Sequence, residues 1–130
     1  MATTPVKLVV QGYTEREVLH VTYEFDQATD RDGQMTGIPR GGKIRIKVKA
    51  LNDGTPDLLA WMIEPTLAKE GSIVFNETKT GKEMKQIQFT GGYCVEFHER
   101  WEDKMGHYEE ITVSCQHIKF GNVEFENKWA

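Results

Sequence analysis

Cysteine and proline are scarce in this 130-residue chain, two and four respectively, and no apolar run approaches the ~20 residues that a membrane-crossing helix needs. The two cysteines, Cys94 and Cys115, form neither a C-x-x-C motif nor a zinc-ligand spacing, so no metal or redox site is expected on them. Basic charge is not in excess: 16 Lys and Arg stand against 20 Asp and Glu, and the basic residues do not run together. That balance of −4 gives no electrostatic footprint for nucleic acid. The opening MATTPVKLVV lacks a basic region followed by an apolar core, so no secretory signal is expected. Internal repeats and low-complexity tracts are absent as well. What remains is one soluble domain with an ordinary 38% hydrophobic content, long enough to bury roughly two thirds of its unfolded surface. Without an export signal, the cysteines are expected as free, partly buried thiols of a chain folded in a reducing cytoplasm.

The most informative stretch is GGKIRIKVKALNDGTPDLLAWMIEPTLAKEG, residues 41–71. Ile44, Ile46, Val48 and Ala50 alternate with Lys43, Arg45, Lys47 and Lys49, which predicts a strand with one apolar and one basic face. A turn at 52–54 precedes the one convincing helix, for which Thr55 is the expected cap and Pro56 the expected first residue. Leu58, Leu59, Trp61, Met62 and Ile63 give that helix a broad apolar surface, with Leu58, Leu59 and Met62 assigned to the core. So short a helix is unstable alone and must flank or plug a β structure.

The rest reads as strand and turn. Residues 6–12 and 17–25 predict a hairpin with Leu19, Val21, Tyr23 and Phe25 inward. Further strands are expected at 72–77, 84–89, 92–101, 108–120 and 122–129, with Gly91-Gly92 as a boundary and Val123 and Phe125 inward. Cys94 falls out of phase with Tyr93, Val95 and Phe97, whereas Cys115 is in phase with Ile111 and Val113, so the two thiols are expected on opposite faces. About eight short strands and one helix predict a mainly β fold, a small two-sheet β-barrel. Between the second and third strands, QATDRDGQMTGIPRGG (27–42) breaks all periodicity yet carries Met35 and Ile38. A long loop of this kind is either a contact element or a plain excursion.

Catalysis finds little support. The histidines His20, His98, His107 and His117 have no H-x-x-x-H spacing, although His98 and His117 would be neighbours if their strands pair in register. No two carboxylates stand apart as an acid–base pair, and Ser72 and Ser114 lack a nucleophile-elbow context. RGG at 40–42 is followed by neither Lys-Ser/Thr nor a helix, so it is no phosphate loop. No catalytic residue, metal ligand or cofactor is therefore assigned. The charged strand faces are the better candidates: Lys43, Arg45, Lys47 and Lys49 on one strand could meet Glu96 and Glu124, with Glu109 or Glu110, across a subunit contact, the alternative being ordinary solvation.

Taken together, TGIPRGGKIRIKV, PDLLAWMIEP, GSIVFNETKTGKEMKQIQFTGGYCVEFHERW and ITVSCQHIKFGNVEFENKW resemble the Hcp (TssD) tube proteins of type VI secretion systems, in the form found in Bacteroidetes. The resemblance spans essentially the whole chain in order. It implies a small β-barrel of two sheets with one helix at its side, six copies to a ring, and rings stacked into a tube that a contracting sheath expels. It also implies sheath, spike and effector partners, effectors held in the lumen, release without a signal peptide, and no direct membrane insertion. The loop after the second strand would then reach the next ring, and Arg31, Asp32, Gln34, Met35, Ile38 and Arg40 are its expected contact residues. A tail-tube subunit of a phage-like contractile particle and a monomeric β-barrel ligand-binding module are the alternatives.

Overall fold

The computed structural model describes residues 5–25, 27, 29–35, 41–51, 53–64, 66–77 and 79–127. In chain order the elements are β1 (Val6–Val10), β2 (Arg16–Tyr23), β3 (Lys43–Lys49), α1 (Asp57–Ile63), β4 (Lys69–Asn76), β5 (Glu83–Glu102), β6 (Gly106–Phe120) and β7 (Val123–Glu126). All pairings are antiparallel, in the order β3-β2-β1-β4-β5-β6-β7. β3 also pairs with β6, from Lys43↔Ser114 to Lys49↔Tyr108. Six strands thereby close into a barrel, and β7 is added outside the closure on the part of β6 that β3 leaves free. Closure removes the edges that would otherwise pair promiscuously.

The interior is aliphatic. Leu8, Val10, Ile44, Ile46, Val48, Ile73, Ile87, Phe89, Ile111, Val113 and Ile118 are all buried. β3 alternates as expected, its Ile44, Ile46 and Val48 inside and its Lys43, Arg45 and Lys49 outside. Among the described residues there are seven strands rather than eight, because the segments expected at 84–89 and 92–101 are one twenty-residue strand, β5. Gly91-Gly92 bends that strand without ending it: Gly91 has φ +60, which a residue with a Cβ rarely adopts.

Two bulges correct the expected strand faces. A register shift between Val18 and His20 puts Arg16 and Val18 inside and turns Leu19 out to solvent, where an inward Leu19 was expected. A second shift, between Cys94 and Glu96, leaves Val95 exposed and Cys94 buried. Both thiols thus face the interior, Cys94 opposite Val113 and Cys115 opposite Gly92, and the expectation of opposite faces is wrong. Val123, expected inward, is exposed, and Phe25 lies beyond the end of β2, partly exposed.

α1 lies against β5. Leu58 and Trp61 are buried, Met62 packs partly against the core, Leu59 is half-buried, and Ile63 is exposed. Trp61 stacks on Phe89 at 6.5 Å, meets the edge of Tyr13 at 6.4 Å, and donates its indole N–H to the Leu67 carbonyl at 2.9 Å. The expected Thr55 cap is not formed. Pro56 occupies the cap position with no side-chain cap bond, and Asp53 Oδ1 instead accepts from the Thr55 N–H, which holds the Asp53 carboxyl below its usual range.

A buried ion cluster ties the helix to the barrel. Arg16 at the start of β2 donates to Asp57 Oδ1 of α1 and to Glu109 Oε1 of β6, each at 2.5 Å. All three side chains are nearly inaccessible. Burial acts against the Arg16 charge, but the bonds from Glu109 and Asp57 outweigh it and raise the guanidinium pKa. Arg16→Ala would strand two carboxylates in the interior, and removing one partner of a buried ion pair costs about 3–5 kcal/mol. Urea unfolding of Arg16→Ala should show a loss of that size, and a loss under about 1 kcal/mol would mean that the cluster does not hold α1 in place.

The two thiols supply a separate check. Burial pushes Cys94 up to about 11 and Cys115 to about 12. The folded values lie above the ordinary one, so the native state keeps its thiol protons and its stability falls as pH rises from about 9 toward the folded values. Native protein at pH 8.5 should therefore resist iodoacetamide at both positions and react fully once unfolded. Replacing both by Ala should flatten the fall of the thermal midpoint above pH 9; fast native labelling would contradict the buried placement.

Candidate subunit-contact surfaces

β2 and β3 are joined through the loop over 26–40, of which residues 27 and 29–35 are described. These are not structureless. Thr29 and Met35 form an antiparallel bridge. Within it, the Asp30 N–H donates to the Gln34 carbonyl at 2.8 Å and the Gly33 N–H to the Asp30 carbonyl at 3.0 Å. Asp30 Oδ1 accepts from the N–H groups of Asp32 and Gln34, both at 2.9 Å, so one carboxylate holds the turn together. Asp30 was not among the expected contact residues; the sequence signal for it is a local acidic side chain two residues before an N–H it can reach. Arg31, Asp32, Gln34 and Met35 are all exposed, Met35 at 67%. A methionine so presented is an apolar knob on a hydrogen-bonded turn. Ile38 and Arg40, also expected in the contact, lie outside the described residues.

The second surface is the outer face of β2, β3, β6 and β5. Cross-strand register aligns two rows there: His20, Lys47, Glu110 and His98 in one, Thr22, Arg45, Thr112 and Glu96 in the other. All of these except Thr22 line a groove of about 700 Å³ that also takes in Leu19 and Phe97. The structure thus brings Arg45, Lys47 and Glu96 onto one surface of the same chain, whereas the charge pattern pointed to a meeting between chains. Lys47 leans over the Tyr108 ring at 3.9 Å. Lys43 and Lys49 sit at the ends of the same strand, opposite Ser114 and Tyr108. Glu124 does not join them; it lies on β7 opposite Lys119, 3.6 Å from His117.

His98 and His117 are not neighbours, since His98 faces Glu110 and His117 faces Thr90 along the hairpin. Among the described residues no group of three or more His, Cys, Asp or Glu converges at metal-ligand spacing. No helix among them is long and apolar enough to cross a membrane.

Asp30→Ala tests the loop geometry. The amides of Asp32 and Gln34 should exchange with solvent about fivefold faster, each having lost a bond of about 1 kcal/mol. Exchange in β3 and β6 should stay as it was. Unchanged loop amides would show that the turn does not rest on this carboxylate.

The family model and the solved structures point the same way. A family model for hemolysin coregulated protein Hcp (TssD) matches residues 3–130. The structure of Hcp1 from Flavobacterium johnsoniae is 31% identical, with a TM-score of 0.87 over 94% of this chain and 98% of that one. Hcp1 from E. coli EAEC 042 shares the fold at 14% identity, with a TM-score of 0.76 over 98% of this chain and 100% of that one. The secreted protein Hcp3 from Pseudomonas aeruginosa does so at 11% identity and a TM-score of 0.63, over 98% and 99%. None of the curated proteins matches the chain.

Proposed function

The chain belongs to the hemolysin coregulated protein Hcp (TssD) family of type VI secretion tube proteins, and on that premise we propose that it is the structural subunit of an inner tube, six copies closing into a ring and rings stacking end to end. The observation that carries the reading is the match over residues 3–130 by a barrel whose core is complete within one chain. Such a subunit associates through faces and loops, because closure leaves its sheet few edges to lend. A ring of identical copies needs heterologous contacts, in which one face meets a different face of the next copy. The groove with Arg45 and Lys47 beside Glu96 and Glu110 suits one half of such a contact, where charge fixes register more than it adds affinity.

In this reading the 26–40 loop bridges stacked rings. Met35 docks on the next copy with Arg31, Asp32 and Gln34 around it, and Ile38 and Arg40 belong to the same contact. Lys43, Lys49 and Glu124 serve as peripheral subunit-contact charges. The assembled tube works in the cytoplasm inside a contractile sheath and under a spike, carries effectors in its lumen, and leaves the cell with them without a signal peptide. The role is structural rather than enzymatic.

Sedimentation from micromolar to hundred-micromolar protein should show a species near six times the chain mass. Arg45→Glu should weaken it, with a smaller difference from the unmodified protein at high salt. Shortening residues 29–38 to a few glycines should leave the barrel folded and the ring intact, because shorter loops carry little closure penalty, while abolishing stacking and release into the medium. A monomer at every concentration would sink the tube reading, and normal secretion of the shortened variant would remove the loop from the stacking contact.

A further inference from the structure

β7 is an oddity within the fold. The barrel closes through β3 and β6 without it, it is four residues long, it pairs only with His117–Phe120 of β6, and its Val123 is exposed. By these measures it adds little to the core. Its contacts lead instead to the two ends of the 26–40 loop. The Phe125 ring lies 4.8 Å from Phe25, edge-on at 63°, and Phe25 is the last residue before the loop. Phe25 also meets Tyr23 and Phe120, at 6.3 and 5.8 Å. Just past β7, Asn127 donates its amide to the carbonyl of Gly41, the first residue after the loop, at 3.2 Å, and to that of Cys115 at 2.8 Å.

Both glycines at the loop's exit are shaped by this arrangement. A Cβ at Gly41 would run into the Phe25 ring, and one at Gly42, where φ is +92, would run into the Asn127 amide. Asn127 is itself held, its N–H on the Gln116 carbonyl at 2.7 Å, while the Cys115 N–H reaches Gly42 at the same distance. The ends of the loop are therefore fastened to each other and to the segment 125–127.

We propose that Phe125 and Asn127 form a latch that sets how the 26–40 loop leaves the barrel, and so act as positioning residues for the docking of that loop on a second copy of this chain. The inference rests on the loop being the stacking element, and it adds what keeps the loop ready. A loop of this length that had to order on contact would subtract its ordering cost from the affinity; one fastened at both ends subtracts less.

Trypsin cleavage after Arg31, followed on unstacked protein, reports the latch without reference to stacking. Cleavage in a native protein tracks the population of the open form. Asn127→Ala removes two side-chain hydrogen bonds, so cleavage should accelerate about tenfold or more, while ring mass and thermal midpoint stay close to those of the unmodified protein. Phe125→Ala should act the same way, whereas Phe125→Tyr, which keeps the ring, should restore slow cleavage. A purely structural strand would instead lower the midpoint and leave loop cleavage in step with global unfolding. Should Phe125→Ala unfold the barrel, Asn127→Ala carries the test alone. Unchanged cleavage in Asn127→Ala, or acceleration fully explained by a lower midpoint, overturns the latch. Faster cleavage with normal stacking would leave the latch standing and overturn the stacking reading on which its purpose rests.

Discussion

β3 is hydrogen-bonded on both edges, to β2 from Val18↔Val48 to Tyr23↔Ile44 and to β6 from Lys43↔Ser114 to Lys49↔Tyr108. The rest of the molecule follows from that double pairing. It satisfies the backbone of a strand that would otherwise be an open edge, and it places Ile44, Ile46 and Val48 in the core shared with the other barrel strands. It also sets what is left over. β3 covers only Tyr108–Ser114 of β6, so His117–Phe120 remain available to β7, and the chain between β2 and β3 is held out at the point where the two ladders meet.

Closure also decides where charge is tolerated inside. Arg16 opens β2 with its side chain inward, and it is kept there by one carboxylate from the helix and one from β6. Breaking that set is far more costly than its net contribution to stability would suggest, because the ions left behind have no water to return to. The cluster contributes geometry: it fixes the start of α1 against the barrel, and Trp61 then finds Phe89 and Tyr13 within reach. A seven-residue helix could not hold that position on its own propensity.

The outside of such a barrel is left for association. The surfaces that the core does not need, and on which the proposed ring and stack would draw, are the charged groove over β2, β3, β6 and β5 and the loop that Asp30 keeps in shape. The two differ in kind. The groove offers aligned charges with modest apolar area, suited to setting register, whereas the loop offers a single exposed methionine on a tight turn, suited to local anchoring.

Much of this was legible from residues in order. The strict alternation of β3, the lone helix with its apolar face, the inward Ile111, Val113 and Cys115, and the break in periodicity at 27–42 are local patterns, and local patterns report local structure. Resemblance over the whole chain then indicated the family, and the match over residues 3–130 agrees. What the sequence could not disclose depends on pairing. A bulge inverts every later side chain, and nothing in Val18-Leu19-His20 or Cys94-Val95-Glu96 announces which residue the partner strand will skip, so Leu19 and Cys94 were assigned to the wrong faces. Arg16, Asp57 and Glu109 are unremarkable in a chain rich in charge, and only the barrel makes them one cluster. The two strands read on either side of Gly91-Gly92 are one, because ladders from β4 and β6 carry β5 through a bend that glycine alone would have ended. Sequence determined the elements, their faces away from bulges and the family. Tertiary structure decided register, closure and the meeting of Phe25, Gly41 and Asn127, since each of those is a contact between residues that the chain itself keeps far apart.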